Sequence, residues 1–217
     1  MKPKILIAIP MLNTVRAEFF QSIMGLQGVG EAKLALEVDS LTHMARNHLA
    51  LKAINGNYDY IFWLDSDVVF EPDLLVNLYE DISQGHDYVT ALYFKRVLPT
   101  APVICKELVY EKDEKTGITT HKAEFYNDYP KDSLFPVAAS GLGACLMKTE
   151  IVKKVAESLQ CAPFDPLPHL GEDFSFCHRL TQLGIEMVCD SRLKLGHVGT
   201  MIYHEGIFEQ QDEEEEK

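Results

Sequence analysis

Asp65-Ser66-Asp67 directly follows residues 58–64 (YDYIFWL), the most strand-like run in the sequence. Alternation along an extended chain puts residues i and i+2 on one side, so both carboxylates are expected to face one spot. Two like charges aimed at one point are costly without a cation, and oxygen ligands suit Mg²⁺ or Mn²⁺. His197, in LKLGHVGT, can complete such a site with Asp67, and an imidazole shifts the preference toward Mn²⁺. Gly171-Glu172-Asp173 opens a helical pattern. Its carboxylates are explained by capping, or by a general base held at the rim of a cleft. Ser140-Gly141-Leu142-Gly143-Ala144 is not a phosphate-binding loop, but its small residues allow a ligand close to the backbone. Arg46, beside Asn47, is a candidate partner for a diphosphate, or equally a solvent-exposed arginine.

The elements that must position these residues read as an α/β alternation. Residues 4–9 (KILIAI) form a continuous apolar run of the kind found in buried parallel strands, and 34–38 is a second candidate strand. Asp39-Ser40 is a potential capping pair, after which Leu41, Ala45, Leu49 and Ala53 recur every four residues toward Asn55-Gly56. Pro72 is expected at the first position of a helix ending before Gly85, and residues 87–94 form another strand. Residues 97–136 are less regular, with hairpin pieces around 109–120. Regular structure resumes at 137–147, followed by helices over 150–159 and 173–183, the second ending at Gly184. Residues 185–189 form the last strand. The rhythm predicts a mixed, mainly parallel sheet flanked by helices in one domain over residues 1–208, with an acidic, disordered tail over 209–217.

Composition narrows the function. Thirty-three acidic against twenty basic residues give a net charge of −13, and no Lys/Arg run interrupts it, so strong nucleic-acid binding is not expected. Five dispersed cysteines without a CxxC pair fit free thiols in a cytoplasmic setting. No segment approaches the roughly 18 consecutive apolar residues of a membrane span.

In order, IAIP, ARNHLALKA, YDYIFWLDSDVVFEPDLL, SGLGACLMK, GEDFSFCHRL and GHVGT resemble the motifs of GT-A glycosyltransferases, the family-2-like and mannosyltransferase-like enzymes in particular. The resemblance spans residues 4–200 and implies a Rossmann-like nucleotide-diphospho-sugar transferase fold. It also implies a UDP- or GDP-sugar donor, an acceptor hydroxyl and a bound Mn²⁺ or Mg²⁺. By that resemblance Pro10 and Asn13 contact the base, and Asp39 and Arg46 lie near base, ribose or diphosphate. Asp65 and Ser66 belong to the donor side, with Asp65 on ribose or metal-bound water. Asp67 and His197 ligate the metal, Gly141 and Gly143 line the sugar pocket, and Glu172 and Asp173 form the acceptor-side acidic pair, Asp173 as base. The absence of a QxxRW motif separates the chain from processive synthases. A sugar-nucleotidyltransferase is the enzymatic alternative, although MLNTVRAEFF lacks the glycine-rich loop such enzymes carry after their first strand. A silent nucleotide-sugar-binding module is the non-enzymatic one.

Overall fold

The computed structural model describes residues 2–112, 116–117, 119–199 and 202–209. Its elements are β1 (Lys4–Met11), α1 (Ala17–Gly25), β2 (Glu31–Val38), α2 (Thr42–Asn55), β3 (Tyr60–Leu64), β4 (Val68–Val69), α3 (Leu74–Ile82) and β5 (Tyr88–Leu92). There follow β6 (Ile104–Lys112), β7 (Thr119–Phe125), β8 (Leu134–Val137), β9 (Ala139–Ser140), β10 (Ala144–Lys148) and α4 (Thr149–Leu159). The last are α5 (Glu172–Gln182), β11 (Met187–Lys194), β12 (Gly196–Val198) and β13 (Ile202–Tyr203).

Seven strands form the main sheet in the order β2-β1-β3-β10-β5-β11-β8. β2, β1, β3, β5 and β11 run one way, and β10 and β8 run against them. The sheet is therefore mixed, with most strands in one direction and helices on both faces. Alternation explains why its inner strands are apolar without interruption. On β1 and β3, Leu6, Ala8, Ile61 and Trp63 face a core shared with α2, α4 and α5. Ile5, Ile7, Phe62 and Leu64 face a second core shared with α1 and α3. Burial on both faces leaves no place for polar residues in such strands.

Several sequence expectations shift in detail. The helix from residue 42 is present, but Asp39 and Ser40 do not cap it: the N-cap is Leu41, without a side-chain hydrogen bond. Asp39 instead sits at φ 57°, a conformation short polar residues tolerate, and donates its N–H to the Met11 carbonyl. Pro72 precedes α3 by two residues rather than opening it. The regular run at 137–147 consists of the end of β8, β9 and β10, with a bend at 141–143 between the last two. The final strand continues to Lys194, and β12 follows it. Helix α1 was not expected at all; its Phe19 is its one buried residue. The hairpin near 109–120 exists as the longer β6–β7 pair. The expected acidic tail, Glu209 apart, lies outside the described residues. No helix among the described residues is long and apolar enough to cross a membrane, and all five cysteines are free thiols.

Because Leu78 of α3 is fully buried in the second core, Leu78→Ala should lower unfolding free energy by roughly 2–5 kcal/mol with an unchanged denaturant slope. Urea titration followed by circular dichroism checks this.

Candidate functional site

The carboxyl ends of β1, β3 and β5 open into a cleft of about 940 Å³, lined by Pro10, Met11, Ser66, Tyr93, Lys95 and Asp173 among others. This is where ligands bind in open sheets of parallel strands. Asp65, Asp67, Arg96 and His197 also line it.

Asp65 leaves β3 as the strand ends, and Ser66 and Asp67 form a turn into β4. Strand alternation therefore does not govern the pair, and each carboxylate has its own cationic partner. Asp65 Oδ1 accepts from Arg46 Nη2 at 2.9 Å. Asp67 Oδ2 accepts from Arg96 Nη1 at 2.6 Å. The backbone N–H of Asp65 donates to the Gly143 carbonyl at 2.9 Å, fixing the turn to the strand beside it.

His197 reaches Asp67 across 130 residues because β12 pairs antiparallel with β4, placing His197 opposite Val68. Val198 N–H donates to the Asp67 carbonyl at 2.7 Å and locks that register. His197 Nδ1 lies 2.8 Å from the Phe94 carbonyl, which only accepts, so Nδ1 carries the hydrogen. Nε2 then points at Asp67 Oδ1, 3.3 Å away. A neutral ring presents a lone pair to a carboxylate oxygen there, two acceptors face to face, an arrangement satisfied by a proton or a cation between them. A histidine held by a backbone carbonyl through its far nitrogen is also how metal-ligating imidazoles are oriented. Burial alone would raise the Asp67 carboxyl, but the hydrogen bond and charge of His197 and the charge of Arg96 hold it below its usual range. Among the described residues no three Asp, Glu, His or Cys side chains close around one point. Asp67 and His197 could supply at most two side-chain ligands to a hard cation such as Mg²⁺ or Mn²⁺, the rest of whose shell would have to come from water or a bound ligand. Asp65, expected as a third ligand, is turned to Arg46.

Arg46 is neither exposed nor a cleft-lining group. It is 2% exposed, lies 5.4 Å over the Trp63 ring, and joins Asp65 to Glu172 Oε1 at 3.3 Å. Burial opposes its charge, and Asp65, Glu172 and Asp173 together outweigh that penalty. Neighbouring Asn47 accepts from Phe164 N–H and donates to Asp165 Oδ1, tying down the proline-rich segment that leads into α5. Residues 46 and 47 thereby set the position of the acidic pair.

A helix N-terminus favours the ionised form of Asp173, but burial, then the charge of Glu172, push its carboxyl up to about 7. Its Oδ1 accepts the Phe174 N–H at 2.7 Å, which offsets this only in part. A carboxyl poised near neutrality is suited to taking up a proton in one step and releasing it in another.

Gly141 and Gly143 do not line the cleft. A Cβ on Gly141 would lie 1.7 Å from the Tyr93 hydroxyl, and one on Gly143 2.8 Å from Tyr93 Cζ. Both glycines make room for that ring, and Gly143 N–H donates to the Tyr93 hydroxyl at 3.2 Å. Asn13 and Asp39 also lie outside the cleft lining, where Met11, Leu12, Ser40 and Thr42 stand instead. Sequence reading missed Tyr93, Lys95 and Arg96. A Lys-Arg pair just past the carboxyl end of a buried strand was the available signal.

No family model matches the sequence, and no curated protein matches it. Among solved structures the chain is similar to the crystal structure of A197 from STIV, at 19% identity and a TM-score of 0.59, covering 90% of this chain and 86% of that one. The likeness is one of fold.

Removing Arg46 should expose how much the cluster depends on it. Asp65 and Asp173 both have raised folded values, so their contribution to stability is present below their ordinary range and lost as pH rises through the folded value. Arg46 opposes that loss. Arg46→Met should therefore cost about 3–5 kcal/mol near pH 8, the usual penalty for orphaning buried charge. The cost should shrink near pH 5, as the carboxyls protonate. Chemical denaturation at the two pH values measures the difference.

Proposed function

We propose that the protein is a cation-assisted glycosyltransferase of the GT-A type, taking a UDP- or GDP-sugar as donor and transferring the sugar to an acceptor hydroxyl. The observation that carries this reading is the Asp67–His197 pair, with the imidazole fixed through Phe94 and its free nitrogen aimed at a carboxylate, in the cleft that also holds Asp173. The ordered motif resemblance supplies the substrate class.

A divalent ion seated there would neutralise charge on the departing diphosphate. Pro10, Met11 and Ser66, which line the cleft, would contact the nucleotide. Lys95, whose Nζ rests 3.5 Å from the Phe125 ring centroid, adds a cation to the lining. Asp173 takes the acceptor hydroxyl proton as the new oxygen–C1 bond forms. The old C1–oxygen bond breaks, and its electron pair leaves with the nucleoside diphosphate. A single displacement of this kind inverts the anomeric centre. The segment after β1 has no glycine-rich loop, which weighs against nucleotidyl transfer.

Nucleoside diphosphate with Mn²⁺, at 100 times its dissociation constant, should stabilise the protein by about 2.7 kcal/mol. Asp67→Ala should abolish the Mn²⁺-dependent part of that shift in a thermal melt. Wild-type behaviour in this variant would remove the assignment.

Asp173→Asn should retain this donor binding while lowering nucleoside diphosphate release from the sugar nucleotide by at least ~10²-fold. Because the base form is needed, wild-type turnover should fall with decreasing pH below about 7. A pH–rate profile without that limb would exclude Asp173 as the base.

A further inference from the structure

Strand β2 is one edge of the main sheet, paired with β1 on one side only. It is eight residues long, regular in register and free of proline. The other edge, β8, is four residues long and contains Pro136. Short length and proline are usual devices for preventing edge-to-edge association. β2 has neither.

The direction of its free backbone groups follows from its partner. Glu31 N–H donates to the Pro3 carbonyl and Asp39 N–H to the Met11 carbonyl. Odd-numbered residues therefore turn their backbone toward β1, and Ala32, Leu34, Leu36 and Val38 turn theirs outward. The side chains of Leu34, Leu36 and Val38 are 54%, 47% and 45% exposed on one face. On the other face His48 of α2 bonds Glu37 of β2 at 2.9 Å. Met44 and Leu51, one turn either side of His48, are 43% and 56% exposed. Isolated exposed apolar residues are ordinary, but these five surround a single unpaired edge.

We propose that β2 is the seam of a two-fold homodimer, pairing antiparallel with β2 of a second copy about Ala35. That axis sets Ala32 opposite Val38, Leu34 opposite Leu36 and Lys33 opposite Glu37, each twice. The even-numbered pairs are those whose N–H and C=O groups face outward, so they form the hydrogen-bonded pairs. Lys33 and Glu37 fall in the non-hydrogen-bonded pairs, where side chains stand closest. Opposite charges facing each other there are favourable. An axis through Leu34 would set Glu31 against Glu37 inside the strand, and one through Leu36 would leave Glu31, Ala32 and Lys33 unpaired. The Ala35 axis leaves only Glu31 without a partner in the strand, opposite Asp39 just past its end. The occupant is a second copy because Lys33 and Glu37, the charges in the middle of the strand, complement each other when it meets itself in this register. The two apolar faces then continue across the seam, as an isologous interface requires. None of the seam residues lines the cleft, so the inference stands apart from the proposed activity.

Sedimentation equilibrium of the full chain tests it. At about 100 µM, enough to populate any dimer of micromolar affinity, wild type should sediment at twice the 24.5 kDa chain mass. Lys33→Glu and Glu37→Lys each place like charges opposite one another, and each should weaken the dimer at least about tenfold. An equimolar mixture of the two variants recreates the opposite-charge pairs and should recover wild-type affinity. Matching circular dichroism spectra confirm that both variants fold. A monomeric wild type overturns the proposal. So does a dimer indifferent to both substitutions, or a mixture that fails to recover.

Discussion

One guanidinium, buried among carboxyl groups, sets the architecture of the cleft. Arg46 comes from the second turn of α2, yet its partners come from the end of β3 and the start of α5. Without it, Asp65, Glu172 and Asp173 would repel one another at low dielectric where the N-terminus of α5 meets the end of β3. With it, the three are held together but not fully compensated, so burial still lifts Asp65 and Asp173 above the usual carboxylate range. The incomplete compensation is what the proposed role of Asp173 as base requires. A fully neutralised cluster would leave Asp173 permanently ionised or permanently paired, and neither suits proton transfer.

A second arrangement of opposite logic lies beside it, two residues on from Asp65. Asp67 is held low by His197 and Arg96, and stays an anion wherever Asp173 titrates. Two carboxylates in one cleft thus have different protonation behaviour for local reasons, the usual way a site separates charge-holding from proton-moving roles. Arg96 is about half exposed, whereas Arg46 is buried. The first can release its carboxylate to an incoming ligand; the second has no route to do so.

The fold was legible where periodicity is set by burial on two faces, as in residues 4–9 and 58–64, and where helices repeat every four residues, as in 41–53. It was illegible where one residue decides. Helix α1 is only nine residues long, and its core-facing side is Phe19 with Ile23 one turn on, too short a stripe to stand out. The break at 141–143 answers to Tyr93, fifty residues away. The individual site residues Asp65, Asp67, Asp173 and His197 were found from type and position, and the structure brings all four to one cleft. His197 was matched to Asp67 from the sequence, and a two-residue ladder between β12 and β4 brings them together. The arginine partners of the two aspartates, Arg46 and Arg96, were not foreseen. Nor does anything in ARNHLALKA announce that its arginine is buried. The raised Asp173 carboxyl was not legible either, because a helix terminus acts weakly against desolvation and a neighbouring carboxylate that only the fold brings into play.

The Tyr93 wedge has a consequence for how such a chain can vary. The phenol fills the space that side chains at 141 and 143 would need, and its hydroxyl takes the N–H of Gly143, whose carbonyl in turn takes the N–H of Asp65. Positions 93, 141 and 143 are therefore one unit of variation: a side chain gained at either glycine demands volume lost at 93. Any combinatorial library that diversifies the cleft must vary the three together, or its glycine variants will be purged for packing before their chemistry is ever sampled.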